Sequence, residues 1–282
     1  MRDAAFQGLA VGFFDGVHLG HQAILKGADA ALTFRNHPLT VLAPERAPRL
    51  IMTCEERVAA IKACGVGEVI VLDFTRELAE MSAEAFVEFL NKRRGRRVSS
   101  VRCGGNWRFG KGGSGDAEFL RRLGLDAVVV PYAAYKGEPI SSSRIRRCLE
   151  NGEIEDANAM MGRRYEVRGT RDEGKGLGRQ IGYPTINFRL EDISLRLPCG
   201  VYEVELDGVK GAANYGFAPT MGDRSWKIPI LEVHLLASHS SSLIPLPSSL
   251  ISFIRFIRPE KKFDSVEDLK RQIAADCAKI TS

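Results

Sequence analysis

The sequence predicts two domains in tandem. Residues 1–160 read as an α/β domain, a parallel sheet with helices on its faces. Residues 161–282 read as a small antiparallel β domain that ends in a helix. Three observations carry this. Short apolar runs alternate with helical patterns in the first half, which calls for a parallel sheet. Short strand-like runs joined by tight turns fill the second half. The C-terminus then switches to a helical period. Taken in order, residues 9–14 read as a buried strand opening into Gly-rich text, and residues 67–74, 98–103 and 126–131 as further strands. Residues 54–63, 82–92 and 117–123 read as the helices between them, with Ser82 as an N-cap. Residues 143–164 read as two helical segments broken at Asn151-Gly152, where glycine is a natural stop. The domain boundary falls near Gly162.

In the second half, residues 165–168, 200–206, 209–214 and 228–236 are strand candidates. Asp207-Gly208 between two of them is a type I′ hairpin signal. The pattern fits an antiparallel barrel or a sandwich. Val266, Leu269, Ile273, Cys277 and Ile280 then fall on one helix face, and Ser265 with Asp268 resembles a capping box. Residues 238–252 fit none of this. They are Ser-rich and carry Pro245 and Pro247, and proline cannot donate to a ladder. A loop, or a damaged strand pair, is expected there.

Composition bounds the function. At about 150 residues per domain, 282 residues allow two domains, each able to bury a core. Hydrophobic residues at 44% and charged residues at 27% exclude collagen-like and wholly disordered chains. No run of 18 apolar residues occurs, so no membrane-spanning helix is expected. The N-terminus lacks the long apolar region and cleavage site of a signal peptide, and a cytoplasmic location is expected. A net charge of +5 suits phosphorylated small molecules without demanding nucleic acid. The basic run Lys92, Arg93, Arg94, Arg96 and Arg97 has no interleaved aromatics and reads as a solvated helix end. Six cysteines, none in a CxxC pair or at zinc-finger spacing, read as reduced and mostly buried thiols.

The sharpest chemical signal is Gly12-Phe13-Phe14-Asp15-Gly16-Val17-His18-Leu19-Gly20-His21. It follows a strand and opens a helix, whose unpaired N–H groups and dipole favour phosphate. Glycines 12, 16 and 20 let the backbone approach a ligand. His18 and His21, three apart, can both address phosphoryl oxygens where charge develops. The competing readings are structural histidines or a zinc pair, and zinc lacks an obvious third ligand. Two GxxxxGK runs, Gly105 to Lys111 and Gly169 to Lys175, are followed by glycine instead of the Ser or Thr that a P-loop requires. Ser142, Ser143, Arg144 and Arg146 at a helix start are either an anion site or an N-cap with solvated arginines. The block 174–187 holds Gly174, Gly176 and Gly178, then Thr185 and Asn187, which alternate on an extended segment and offer oxygens of the kind Mg²⁺ accepts. A polar turn capped by Thr and Asn is the plainer alternative. Glu232 alternates with His234 on a strand and can act as a general base where a substrate hydroxyl reaches it. An exposed strand face explains the same spacing.

Together these blocks resemble the bacterial bifunctional riboflavin kinase / FMN adenylyltransferase (FAD synthetase) family. The resemblance rests on GFFDGVHLGHQ, TFRNHP (33–38), GGNWRFG (104–110), ISSSRIR (140–146), GKGLGRQIGYPTIN (174–187), LEVHLL (231–236) and RPEKKFDSVEDLKRQI (258–273), in that order over nearly the whole chain. It implies a Rossmann-like nucleotidyltransferase domain followed by a riboflavin kinase β-barrel with a C-terminal helix. The first would join FMN to the AMP part of ATP, with His18 and His21 on the ATP phosphates. Gly12, Phe13, Phe14, Asp15, Gly16 and Gly20 would form the nucleotide loop, Ser142, Ser143, Arg144 and Arg146 a second phosphate motif, and Asn106 a flavin contact. The second would transfer the γ-phosphoryl group of ATP to riboflavin. Thr185 and Asn187 would hold Mg²⁺ and phosphates, the 174–178 glycines would form the nucleotide loop, and Glu232 would be the base. Riboflavin, FMN and ATP are the expected small-molecule partners. Nucleic acid and membrane are not expected, and self-association is left open.

The text departs from the family pattern in two places. Only residues 22–32 separate His21 from Thr33, which predicts a cramped first crossover, since a parallel crossover needs a dozen or more residues. Residues 237–252 replace an acidic turn and the strand after it, which predicts the loss of a strand pair beside Glu232. This motivates a rival reading: a flavin-binding protein whose kinase activity is impaired or lost. A nucleotidyltransferase for another acceptor would have no use for the second domain.

Overall fold

The computed structural model describes residues 8–95, 97–172, 177–190, 197–217, 229–236 and 248–281. The chain divides into two compact units, residues 1–142 and 143–282. The expected boundary lay near Gly162.

The first unit runs β1 (Leu9–Val11), α1 (Leu19–Leu25), β2 (Ala30–Phe34), α2 (Leu39–Leu42), α3 (Cys54–Ala63), β3 (Glu68–Leu72), α4 (Arg76–Glu80), α5 (Ala83–Arg94), β4 (Ser100–Gly104), α6 (Ala117–Arg122) and β5 (Asp126–Val130). A small hairpin follows, β6 (Ala134–Tyr135) and β7 (Glu138–Pro139). The five long strands form one parallel sheet in the order β3-β2-β1-β4-β5. Residues alternate between its faces. Leu9 and Val11 pack with Phe86, Leu90 and Leu120 on one side, and Ala10 packs with Leu25 and Ile61 on the other. Strand order reverses at β1, with β2 on one side and β4 on the other, and ligands of such sheets bind beyond the strand ends at this switch point. The loop that leaves β1 there is Gly12 to His18.

Three expectations for this unit need correcting. The first strand ends at Val11 rather than at Phe14, because Phe14 turns into the left-handed region with φ 59°. A strand absent from the sequence reading, β2, lies parallel to β1. The crossover therefore spans residues 12–29, which is long enough and not cramped. The basic run is not wholly solvated, since the Arg94 side chain is buried against Asp29 at 3.0 Å and Glu68 at 3.6 Å. Arg96 lies outside the described residues.

The second unit opens with α7 (Ser142–Glu150), whose first residue ends the first unit, and α8 (Ile154–Met161). It continues with β8 (Tyr165–Asp172), α9 (Leu177–Gln180), β9 (Ile186–Arg189), β10 (Gly200–Leu206), β11 (Val209–Phe217), β12 (Pro229–Leu235), β13 (Ser248–Pro259) and α10 (Val266–Thr281). The strands close into an antiparallel barrel in the order β10-β11-β12-β9-β8-β13, which removes every sheet edge. Tyr202, Tyr215, Leu231, Val233, Phe188 and Phe253 fill its interior. The β10–β11 turn is type I′ as predicted, with Asp207 and Gly208 both at positive φ.

The expected loop at 238–252 is corrected where it can be seen. Ser248 to Ser252 begin β13, which pairs with β8 and then with β10 to close the barrel. Ser249 and the fully buried Ile251 face inward while Leu250 between them is exposed, and no proline lies within this stretch. The barrel has not lost a strand pair among the described residues. Residues 237–247, with both prolines, lie outside them. The six cysteines are free. Cys148 is pushed up to about 11, by burial first and by its hydrogen bond with Glu153 second, so it is an inert thiol.

Candidate functional site

The loop after β1 is tightly specified. Phe14, Gly16 and Val17 all have positive φ, at 59°, 81° and 38°. For a β-branched residue such as Val17 this is a strained conformation, of the kind that collects at functional sites. The surroundings hold it in place. The buried Asp15 carboxylate accepts the Ile51 amide at 3.1 and 3.2 Å, Thr33 Oγ1 donates to the Phe13 carbonyl at 2.8 Å, and Ser142 Oγ donates to the Asp15 carbonyl at 2.8 Å. Asp15, assigned to nucleotide binding from sequence, is thus engaged in holding the loop.

His18 caps α1. Its Nδ1 accepts the His21 amide at 3.3 Å, which fixes the ring proton on Nε2. The two imidazoles stack with centroids 3.5 Å apart. A Cβ at Gly20 would sit 3.2 Å from the His18 ring, so glycine is what lets that ring lie over the first helical turn. Burial, with His18 adding to it, holds His21 well below the ordinary imidazole range. Its buried Nδ1 has no hydrogen-bond partner. A neutral His21 with an orphaned buried nitrogen, stacked on the His18 ring, is suited to hydrogen-bonding a phosphate.

Sequence reasoning missed Arg57. It is fully buried and lies 4.2 Å over the Phe13 ring, and its Nη2 donates to the carbonyls of Phe34 at 2.5 Å and Arg35 at 3.3 Å. Burial lowers its pKa, while Cys54 and Asp15 oppose that. It ties the end of β2 to the β1 loop. The available signal was slight, a cation one helical turn before the apolar Ile61 and so on the same face.

Asn106 is exposed beside a cleft of about 190 Å³ lined by Gly104, Gly105, Trp107, Arg108, Asp116 and Arg121. The Gly105–Lys111 run is a pinned structural turn. Lys111 pairs with Glu80 at 2.6 Å, and a Cβ at Gly110 would meet Ala83 backbone at 2.9 Å. Ser143, Arg144 and Arg146 lie on α7 in the second unit, where Arg146 donates to Ser143 Oγ at 3.5 Å.

In the barrel, register assembles a second site. Asn187 of β9 stands opposite Asp172 of β8 and Glu232 of β12, and Glu232 stands opposite Asn214 of β11. Directly opposite residues share a face. Asp172, Asn187, Glu232 and Asn214 therefore form one polar row on the outer face, while Leu231 and Val233 point inward. Asp172 is held by Arg189 at 2.7 Å. The buried Oδ1 of Asn187 has no partner. Partial burial pushes the Glu232 carboxyl above the ordinary carboxylate range, although the residue remains exposed to solvent. His234 Nδ1 meets the Pro184 carbonyl at 2.9 Å and its ring meets Tyr183 edge-on, so it anchors the turn that carries Thr185. Gly178 packs under that turn, whereas Gly174 and Gly176 lie outside the described residues. The oxygens of Thr185, Asn187 and Glu232 are hard donors of the kind Mg²⁺ prefers, and the orphaned Asn187 Oδ1 fits such an ion.

The FAD synthetase family profile matches residues 3–144, and the riboflavin kinase family profile matches residues 161–282. A bifunctional riboflavin kinase/FMN adenylyltransferase of Listeria monocytogenes is 34% identical over 95% of this chain and 89% of its own length. Proteins of the same description from Bacillus subtilis and Escherichia coli are 31% and 32% identical, each over 95% of this chain and 89% and 90% of their own. A crystal structure described as a macrolide-efflux protein from Streptococcus pneumoniae superposes with a TM-score of 0.85 at 27% identity, covering 98% of this chain and 94% of that one. Among the described residues here, no helix is long and apolar enough to cross a membrane.

Proposed function

This chain belongs to the bifunctional riboflavin kinase/FMN adenylyltransferase family, and on that basis we propose which residues carry each reaction. Both family domains are present in one polypeptide. The chain phosphorylates riboflavin to FMN and adenylylates FMN to FAD, with ATP as the second substrate in each step.

In the first unit, an FMN phosphate oxygen attacks the α-phosphorus of ATP, and pyrophosphate leaves. No covalent intermediate is needed, so catalysis is alignment and charge stabilisation. His18 and His21 donate hydrogen bonds to the ATP phosphates, from the loop Gly12, Phe13, Phe14, Asp15, Gly16 and Gly20. The strained, buried loop and the orphaned His21 nitrogen support this. Ser142 serves as the second phosphate contact within this unit, and Asn106 touches the flavin.

In the second unit, Glu232 takes the proton from the ribityl hydroxyl as its oxygen attacks the γ-phosphorus, and ADP leaves. Thr185 and Asn187 hold Mg²⁺ with the ATP phosphates, beside the loop of Gly174, Gly176 and Gly178. Bound there, the ion neutralises phosphate charge and fixes phosphate geometry. The observation that carries the reading is the register pair Asn187–Glu232, which sets an unpartnered amide oxygen beside a raised carboxyl. We also infer a cytoplasmic location, where ATP and flavin meet.

One assay tests the whole reading. The protein is incubated with ATP and Mg²⁺ and either riboflavin or FMN, and the products are separated by chromatography. FAD from both is expected. FAD from FMN alone would mean that the kinase step is lost, as the rival reading expects.

A further inference from the structure

We propose that Asn214 is a substrate-contacting residue of the kinase site, holding a hydroxyl of the ribityl chain beside Glu232. The inference rests on reading Glu232 as the base. Asn214 lies directly across from Glu232 on the neighbouring strand, and Asn187 lies directly across on the other side. The base is therefore flanked by two carboxamides, each about 5 Å away at the backbone. In-line phosphoryl transfer puts the leaving nucleotide and the attacking hydroxyl on opposite sides of the transferred phosphorus. With phosphates at Thr185 and Asn187, the acceptor must approach from the far side of Glu232. Asn214 is the side chain in the row on that side.

The chemistry of Asn214 matches the acceptor. A carboxamide both donates and accepts, as a polyol hydroxyl does. Asn214 is exposed on the barrel face, so its amide is not consumed by the core. Two residues along the same face stands Gly216, which carries no side chain, so Asn214 is the polar side chain that β11 offers beside Glu232. At the opposite end of the row, Asp172 is bound to Arg189, which leaves the Asn214 end as the acceptor side.

The test compares Asn214→Ala, Asn214→Ser and Glu232→Gln in the full chain, with riboflavin titrated at saturating MgATP. Removing one neutral hydrogen bond is worth about three- to tenfold. The expected result is a KM for riboflavin raised by that factor in Asn214→Ala. Its KM for ATP should be unchanged, and Asn214→Ser, which retains a donor and acceptor, should recover part of the loss. A riboflavin KM within 1.5-fold of the parent, or an equal rise in both KM values, overturns the proposal. The kcat of Glu232→Gln reads the base assignment separately. Full turnover there removes the base, yet a selective KM effect at Asn214 still upholds the contact. If the parent chain shows no turnover, quenching of riboflavin fluorescence with MgADP present replaces KM, and equal affinity of parent and Asn214→Ala overturns the proposal.

Discussion

Adding one methyl group at Gly178 tests whether the turn before β9 positions the kinase chemistry. An ideal Cβ there would lie 2.4 Å from the Tyr183 carbonyl oxygen and 3.2 Å from Thr185 Oγ1. Ordinary contact begins at 3.4 Å, so the carbonyl must retreat by about 1 Å, a displacement that can cost about 100-fold in rate. Two effects oppose each other in Gly178→Ala. Helix propensity favours alanine by about 1 kcal/mol. Overpacking against backbone costs about 1–3 kcal/mol. The clash wins, because α9 is only four residues long and realises little of the propensity gain. Gly178 has no positive φ, so the variant isolates the clash from backbone strain. The Tyr183 amide also bonds to the Gly178 carbonyl at 2.8 Å, so the push is transmitted through Pro184 to Thr185 and Asn187. We expect FMN formation to fall by about 100-fold while FAD formation from added FMN is unchanged, both read by chromatography. Kinase turnover within about threefold of the parent would refute the idea that this turn sets the phosphate ligands.

Three further outcomes follow from the same geometry. His21→Ala should lower FAD formation from FMN by about 10²–10³, as loss of one charge-stabilising donor does, with riboflavin phosphorylation intact. Equal loss of both in a folded variant contradicts the division of labour. Because unfolded histidine takes its proton near about 6.5 and folded His21 only well below that, the first unit should lose stability as pH falls below about 6.5, and less so in His21→Ala. Glu232→Gln should remove phosphorylation alone. With its carboxyl raised by burial, the kinase kcat/KM should fall on the acid side at a midpoint above 4.5, and a midpoint at or below 4.5 counts against its role as base. Asp276→Ala should destabilise the barrel by about 3 kcal/mol in urea unfolding, since Arg258, bonded to Asp276 at 2.9 and 2.8 Å, is left without its buried carboxylate. A shift under about 0.5 kcal/mol would mean that solvent replaces the pair.

Local rules made several elements legible in the text. The helical stretch expected over 54–63 matches α3 to the residue, and the structure shows the local cause: Thr53 and Glu56 form a capping box at its start. The Asp207-Gly208 turn was legible because two successive positive-φ residues admit few sequences. The chemistry-bearing blocks were also legible, since glycines, paired imidazoles and a PTIN turn are short-range patterns. Strand β2 was missed because its AALTF is too short to separate from helix by period. Strand β13 was misread at its start because serines and two nearby prolines outweigh the β-branched and aromatic residues that follow.

What the sequence by itself determined was the class of each unit, its turns and the side chains proposed to react, all written within a few residues. What only the tertiary structure decided was adjacency. Asn187, Glu232 and Asn214 are far apart in the chain and become neighbours only because antiparallel register aligns β9, β12 and β11. Arg57 becomes a buried clamp only when α3 packs beneath the β1 loop, where Phe13 and the β2 carbonyls await it. A one-residue slip would turn Glu232 into the barrel core. Local propensity carries no information on that choice. The inward demand of Leu231, Val233 and Phe188 settles it, because burying them is what fixes the register.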